Sequence, residues 1–519
     1  MKLFTLLFSL LSFSLITAQN INWEKLDIDN ALGKATTVDN QGNVITVGAG
    51  PMNTNSAGVF VKKYDANGTL LFESFETAIQ QQTSGVLEQA RPLEVITDSQ
   101  DNIIVVGFRF HTDNTTCPLP PCIVTRSNKI WKFSPTGQLI FNKTFDDHGR
   151  GAFVGVDSND NIFVNGTGLI TDTNNDTEFG TILIKLAPDG TTLFTDVRDV
   201  VGTGNSIEMG VMDMGNNFVA VANVTTFDTK LTAWDASGNL LWTVTLDDSI
   251  DTLKSISVDE TTNDTYILAD SFPPNPIVSK IDSNGNIVYT QTYSLGEQVV
   301  SNGLEFINSN QLVFASATWS DLGNDSTLHT NVINTSDGSV AQNTTYTLAQ
   351  NLSRVRALEV HPSNGSYYVG INSTTNGGMP SSGTLHAYNI NSNNEWHATY
   401  NASNDIRALA VSVNNEVYLM TDNQWNLAQF STTLSQDDFQ TEHFKLYPNP
   451  VRQELFISSI DNTELKSIQI YDVFGKMIWN TNTVKNISGI NFSKYENGVY
   501  FVKLNTKTGK AQTHKIIKQ

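Results

Sequence analysis

Hydrophobic and polar positions along this chain follow one recurring pattern. An apolar strand, a polar turn and a second apolar strand run from Ala35 to Gly48, from Leu93 to Gly107 and from Val154 to Gly166. Weaker copies begin near Met209, Ile256, Leu304, Ala357 and Ala408, which makes eight. A second half-unit, again strand, turn, strand but ending on an aromatic residue, runs over Val61–Phe72, Ile130–Phe141 and Ala233–Trp242, with further copies centred on Gly190, Gly285, Gly338 and Asn393. Period-2 alternation bounded by Asn, Asp and Gly reads as β-hairpins, and a fixed repeat of hairpin pairs reads as a repeat architecture.

The second half-units number seven, one fewer than the first. The missing half is found at the start of the chain, where the stretch from Ile21 to Ile28 matches the closing strand that begins at Leu240. These observations predict an all-β chain, a β-propeller whose last blade, residues 406–434, is completed by an N-terminal strand. Such closure removes exposed sheet edges. Eight blades is the preferred count, and seven would also suit the repeat. The patterns from Val38 to Gly48 and from Lys63 to Phe72 resemble the secreted bacterial β-propeller repeat family, which implies a fold and no particular activity.

The two ends carry other signals. Lys2, an apolar run from Leu3 to Ile16 and Ala18 read as a signal peptide cleaved after residue 18, too short to span a membrane. From Phe444 onward, short alternating strands separated by turn residues suit a small β-sandwich. Tyr447-Pro448-Asn449-Pro450, then Tyr471-Asp472 followed by Gly475-Lys476, then Gly498 and Tyr500 before a basic end also resemble the type A C-terminal sorting domain of the type IX secretion system of Bacteroidetes-type bacteria. That resemblance implies these residues act as a sorting signal, with engagement of the type IX machinery, passage to the outside of a Gram-negative cell, and removal of the tail with release or surface attachment. The expected domains are 1–18 signal peptide, 19–435 propeller, 436–443 linker and 444–519 sorting domain.

Composition then narrows the function. Lys and Arg total 31 against 52 Asp and Glu, a formal charge of -21. This balance argues against a nucleic-acid partner, which needs clustered cations. Residues 444–519 carry +6 and the signal peptide +1, so residues 20–443 hold -28. Cys117 and Cys122, the two cysteines of the chain, are expected to form a local disulfide in an exported protein. No nucleophile elbow, zinc motif or phosphate loop stands in a suitable context, so no catalytic residue is assigned and no metal or cofactor is expected. Asp172 to Glu178 alternates oxygen side chains as a Ca²⁺ loop does, but lacks the sixth-position Gly and twelfth-position Glu, so Ca²⁺ remains an alternative to a solvated loop.

One pattern points to a ligand site. A basic residue precedes a Val by four positions in Lys34/Val38, Arg91/Val95, Arg150/Val154, Lys254/Val258, Arg356/Val360 and Arg407/Val411. If these strands line the central channel, six cations gather at its mouth and either attract an anionic ligand or pair with neighbouring carboxylates. The reading is therefore an exported, monomeric propeller that binds an extracellular glycan or protein and has no membrane span. The alternative is a secreted polysaccharide- or protein-degrading enzyme using the same loop face.

Overall fold

The computed structural model describes residues 21–519 except for 27–30, 51–55, 77–85, 114–123, 146–153, 172–176, 200–207, 214–217, 225–228, 247–249, 272–273, 296–297, 320–325, 349–351, 375–381, 401–404, 423–424, 432–443, 460–464, 474–475, 482–488 and 507–510. Cys117, Cys122, Arg150, Gly475 and most of the candidate Ca²⁺ loop, residues 172–176, lie outside the described residues. The chain divides into two compact units, residues 1–432 and 433–519.

Every regular element among the described residues is a strand. In the first unit they form eight four-stranded antiparallel blades. Seven are contiguous in sequence, over residues 32–76, 86–145, 154–199, 208–245, 250–292, 298–348 and 352–400. The eighth combines three strands from 406–431 with Ile21–Lys25, whose Trp23, Glu24 and Lys25 pair antiparallel with Gln429, Ala428 and Leu427. The eight-bladed count and the borrowed N-terminal strand thus hold. Blades one and two are also joined by a short parallel pairing of Ser56 with Glu88 and Ala57 with Gln89.

The core explains why the second strand of each blade reads as a nearly unbroken apolar run. Val44–Gly50 is buried along its whole length and Gln311–Trp319 along all but its ends, because each is covered on both faces by neighbouring blades. The outer strands, such as Leu70–Glu76 and Leu240–Thr245, alternate between exposed and half-buried positions. Eight separate apolar clusters sit one at each blade interface. The cluster that closes the ring joins Val44, Phe60 and Tyr64 of blade one to Tyr418, Met420, Trp425 and Leu427 of blade eight.

Two repeated latches reinforce these interfaces. In six of the outer strands an aromatic residue near the start lies against the turn glycine of the next blade: a Cβ added at Gly285 would meet Trp242 at 2.8 Å, and one at Gly68 would meet Trp23 at 2.7 Å. Both glycines have positive φ, so the tight turn and the aromatic contact together require the smallest residue there. Trp23 belongs to the N-terminal strand, so this contact carries the latch across the closure, and its Nε1 donates to the Ala66 carbonyl at 2.9 Å. On the inner hairpins, Asp39, Asp98 and Asp157 each accept two backbone amides and the Asn four residues on. Each also pairs with a lysine, buried in the first two cases and half-buried in the third: Lys63 at 2.7 Å, Lys132 at 3.0 Å and Lys185 at 3.1 Å. Burial alone would raise these carboxyls, but the hydrogen bonds and the ammonium partner outweigh it and hold all three below the usual range. The Asp-rich turns are therefore structural caps, as their Asn and Asp content suggests.

The second unit is a sandwich of a three-stranded and a four-stranded sheet around Phe444, Val451, Leu455, Ile468, Phe492, Val502 and Leu504.

Candidate functional site: the inner-strand bulges

Six inner strands carry a bulge in the same register. In blade one Gly33 pairs with Gly48 and Ala35 with Val47, so Lys34 is the extra residue. The same two-against-one arrangement singles out Leu93, Lys254, Gly303, Arg356 and Arg407. A bulge interrupts the ladder and re-aims a side chain, so four of the six cations named from the sequence occupy positions that turn them out of the regular strand. Arg91 does not; it lies two residues before the bulge of its strand, and its Nη2 donates to Gln89 Oε1 at 3.1 Å.

Three of these cations meet. A cavity of about 470 Å³ lies between the bulges of blades five to eight, and Lys254, Arg356 and Arg407 all line it. Asp405 and Asp422 stand beside them, and Leu253, Val300, Val355 and Ile406 supply an aliphatic wall, at least one residue from each blade. Most of the positive charge is compensated. Lys254 pairs with Asp270 at 3.2 Å, Arg356 with Asp405 at 2.9 Å, and Lys34, just outside the cavity, with Asp422 at 2.9 Å. Asn372 fixes Asp405 from the other side at 3.0 Å, and the Nε of Arg356 is buried without a hydrogen-bond partner. Arg407 is exposed and has no ion-pair partner among the described residues. Of the six cations expected at one mouth, three are brought together here, Lys34, Lys254 and Arg356 pair with acidic neighbours, and Arg407 has no ion-pair partner among the described residues.

Sequence reasoning did not pick out three inner-strand carboxyls. Glu94 accepts the Val154 amide at 3.2 Å and Glu305 the Val360 amide at 3.0 Å, each tying one inner strand to the next. Burial pushes both up to about 7. Glu359 is pushed well above the usual range, by burial first and then by the charge of Glu305. The only signal was an acidic residue inside an otherwise apolar strand.

These raised values have a definite sign. A carboxyl that holds its proton more tightly in the folded chain adds stability at acid pH, and that contribution is lost as the pH rises from about 4.5 towards 7. Glu305→Gln keeps an acceptor for the Val360 amide and cannot ionise. It is therefore expected to unfold at about 1–2 kcal/mol higher free energy than the parent above pH 7, allowing for the partial solvation of the site, and to match it at pH 4. Urea titrations at the two pH values check this.

In the second unit the motif residues hold the fold of the tail together. Asn449 accepts the Ile517 amide at 2.8 Å through Oδ1 and donates to the Lys515 carbonyl at 2.9 Å through Nδ2, which fastens the last strand. Pro448 and Pro450 flank it, both following cis peptide bonds. Asp472 accepts the Lys476 amide at 3.0 Å, and Tyr500 donates to the Glu496 carbonyl at 2.7 Å. Tyr471 donates to Gln469 at 3.1 Å, Tyr447 is exposed, and Gly498 opens a strand where a side chain would meet nothing.

Residues 445–519 match the family of secretion system C-terminal sorting domains. Among characterised proteins, the chain is 27% identical over 149 residues to an ulvan lyase of Nonlabens ulvanivorans, a match spanning 28% of this chain and 27% of that one. The chain therefore covers about a quarter of that relative's length. Among solved structures it is similar to the WD40 domain of SCAP from fission yeast, with TM-score 0.42 and 11% identity over 79% of this chain and 98% of that one. It is also similar to a streptogramin B lyase, with TM-score 0.37 and 11% identity over 78% and 97%. The tail match, together with the eight blades, gives the assignment: an exported β-propeller protein whose C-terminal type IX sorting domain directs it to the cell surface or the surrounding medium.

Proposed function

We propose that the propeller is a binding module that takes an anionic extracellular ligand in the cavity at the inner-strand bulges. One observation carries this reading: a single cavity of about 470 Å³ draws Lys254, Arg356 and Arg407 from three blades of a strongly acidic unit. That volume falls within the range typical of small-ligand sites, and a mixed lining of aliphatic wall and few charged groups is what orients a ligand in such sites. Export places the module where it meets polysaccharides and other proteins. Screening the full chain against acidic and neutral glycans and peptides tests the reading. Retention of at least one acidic ligand, competed by salt, is expected; retention of neutral ligands alone contradicts it.

A second reading, cleavage of a bound polysaccharide, draws on the partial likeness to an ulvan lyase. The cavity supports it less well, because Asp405 and Asp422 are both held in ion pairs rather than poised as acid and base. An assay for shortened chains with every bound glycan separates the two, and turnover lost in Asp422→Asn would favour the enzyme.

A further inference from the structure

Charge bookkeeping at the cavity narrows the ligand beyond the binding reading, on which the following rests. Lys34, Lys254 and Arg356 are each matched by one carboxylate, Asp422, Asp270 and Asp405. What remains is one exposed guanidinium, that of Arg407. A densely charged polyanion would bring further negative groups against Asp405 and Asp422 with nothing left to neutralise them, and like charges facing each other across a partly enclosed site are costly.

The two aspartates retain acceptor capacity. Lys34 engages Asp422 through Oδ1, and Oδ2 has no partner among the described residues. Asp405 shares its two oxygens between Arg356 and Asn372, which leaves a lone pair on each. Because a cation already neutralises each carboxylate, these oxygens suit neutral donors such as hydroxyls better than an ammonium. Leu253, Val300, Val355 and Ile406 offer a surface for C–H groups.

We infer that the cavity takes an acidic sugar unit, its one negative group on Arg407 and its hydroxyls on Asp405 and Asp422. The guanidinium fork fits a carboxylate or a sulfate ester in the same bidentate manner, so the probes must separate these two sources.

Calorimetric titration of the full chain with five probes tests the inference. They are a galactose oligomer with one galacturonate unit, a galactose oligomer with one sulfate ester, its neutral counterpart, a heparin oligomer sulfated at several positions on each disaccharide, and a peptide ending in glutamate. The galacturonate or the monosulfated oligomer is expected to bind best, and which of them wins identifies the anionic group. The neutral and heparin oligomers and the peptide are expected to bind at least about tenfold more weakly. Arg407→Gln, at an exposed position with no ion-pair partner among the described residues, should weaken the best probe about tenfold or more. Asp422→Asn should weaken it as well, yet strengthen the heparin oligomer by uncovering Lys34. Tightest binding by heparin or the peptide, or an unchanged affinity in Arg407→Gln, overturns the inference and leaves the binding reading standing. If no acidic probe binds, both fall.

Discussion

Replacing Lys132 by alanine is expected to lower the unfolding free energy of the propeller by about 3–5 kcal/mol, the cost of leaving one member of a buried ion pair alone. Lys132 and Asp98 are 3% and 1% exposed at the side chain, 3.0 Å apart, and Lys132 also donates to the Pro188 carbonyl of the next blade at 3.0 Å. Alanine thus strands a carboxylate that the fold holds ionised and removes a tie between blades two and three. Urea unfolding measures the loss. Glu73 offers the contrast: it is 40% exposed beside the buried Lys62, so the carboxylate that loss of Lys62 would leave can still be solvated by water, and a smaller penalty is expected there for the stranded charge. A double change of Lys132 to methionine and Asp98 to asparagine should recover much of the loss, since no buried charge is then left alone. If the double variant unfolds as readily as Lys132→Ala, the stranded charge is not the cause.

The second large effect is expected at the seam. Trp425 is fully buried between blades eight and one, donates from Nε1 to Thr46 Oγ1 at 2.8 Å, and lies so close to Gly48 that a Cβ there would meet its ring at 2.8 Å. Truncation to alanine should cost about 3–5 kcal/mol through lost burial and the cavity left behind. Because this interface joins the last blade to the first, the variant should also open the ring, read as faster amide exchange in Ile21–Lys25 than in the strands of blade five. A uniform loss of protection around the ring would show instead that closure is no weaker there than elsewhere.

The sequence made some of this architecture legible and hid other parts, for physical reasons. The blade repeat was readable because the blades share the same needs: an apolar second strand covered on both faces, a turn residue tolerant of positive φ and, in six of them, an aromatic residue to lie on the next turn. The closing strand was readable because Trp23 repeats the role of Trp242. The cation pattern was readable only in part. Counting four residues to a Val gave six candidates, but the bulge is set by the turn that follows the strand. Lys34, Lys254, Arg356 and Arg407 each stand five residues before the residue that opens that turn, Asp39, Asp259, His361 and Ser412, whereas Arg91 stands seven before Asp98. Measured from the turn, Arg91 separates from the other four.

The neutralising partners were not legible at all. Asp270 and Asp422 close the second strands of blades five and eight, and Asp405 precedes the inner strand of blade eight, so no sequence spacing relates them to the cations they meet. The raised carboxyls Glu305 and Glu359 were hidden similarly, because their environment is made by adjacent blades rather than by neighbours in sequence.

Amide exchange of the full chain with and without a saturating acidic oligosaccharide tests the central claim most directly. The account predicts protection concentrated in the segments that build the cavity, around Leu253–Lys254, Val300–Asn302, Val355–Arg356 and Asp405–Arg407, and absent when Lys254, Arg356 and Arg407 are all replaced by glutamine. Protection confined to the outer strands, or a footprint that survives the triple replacement, would contradict it.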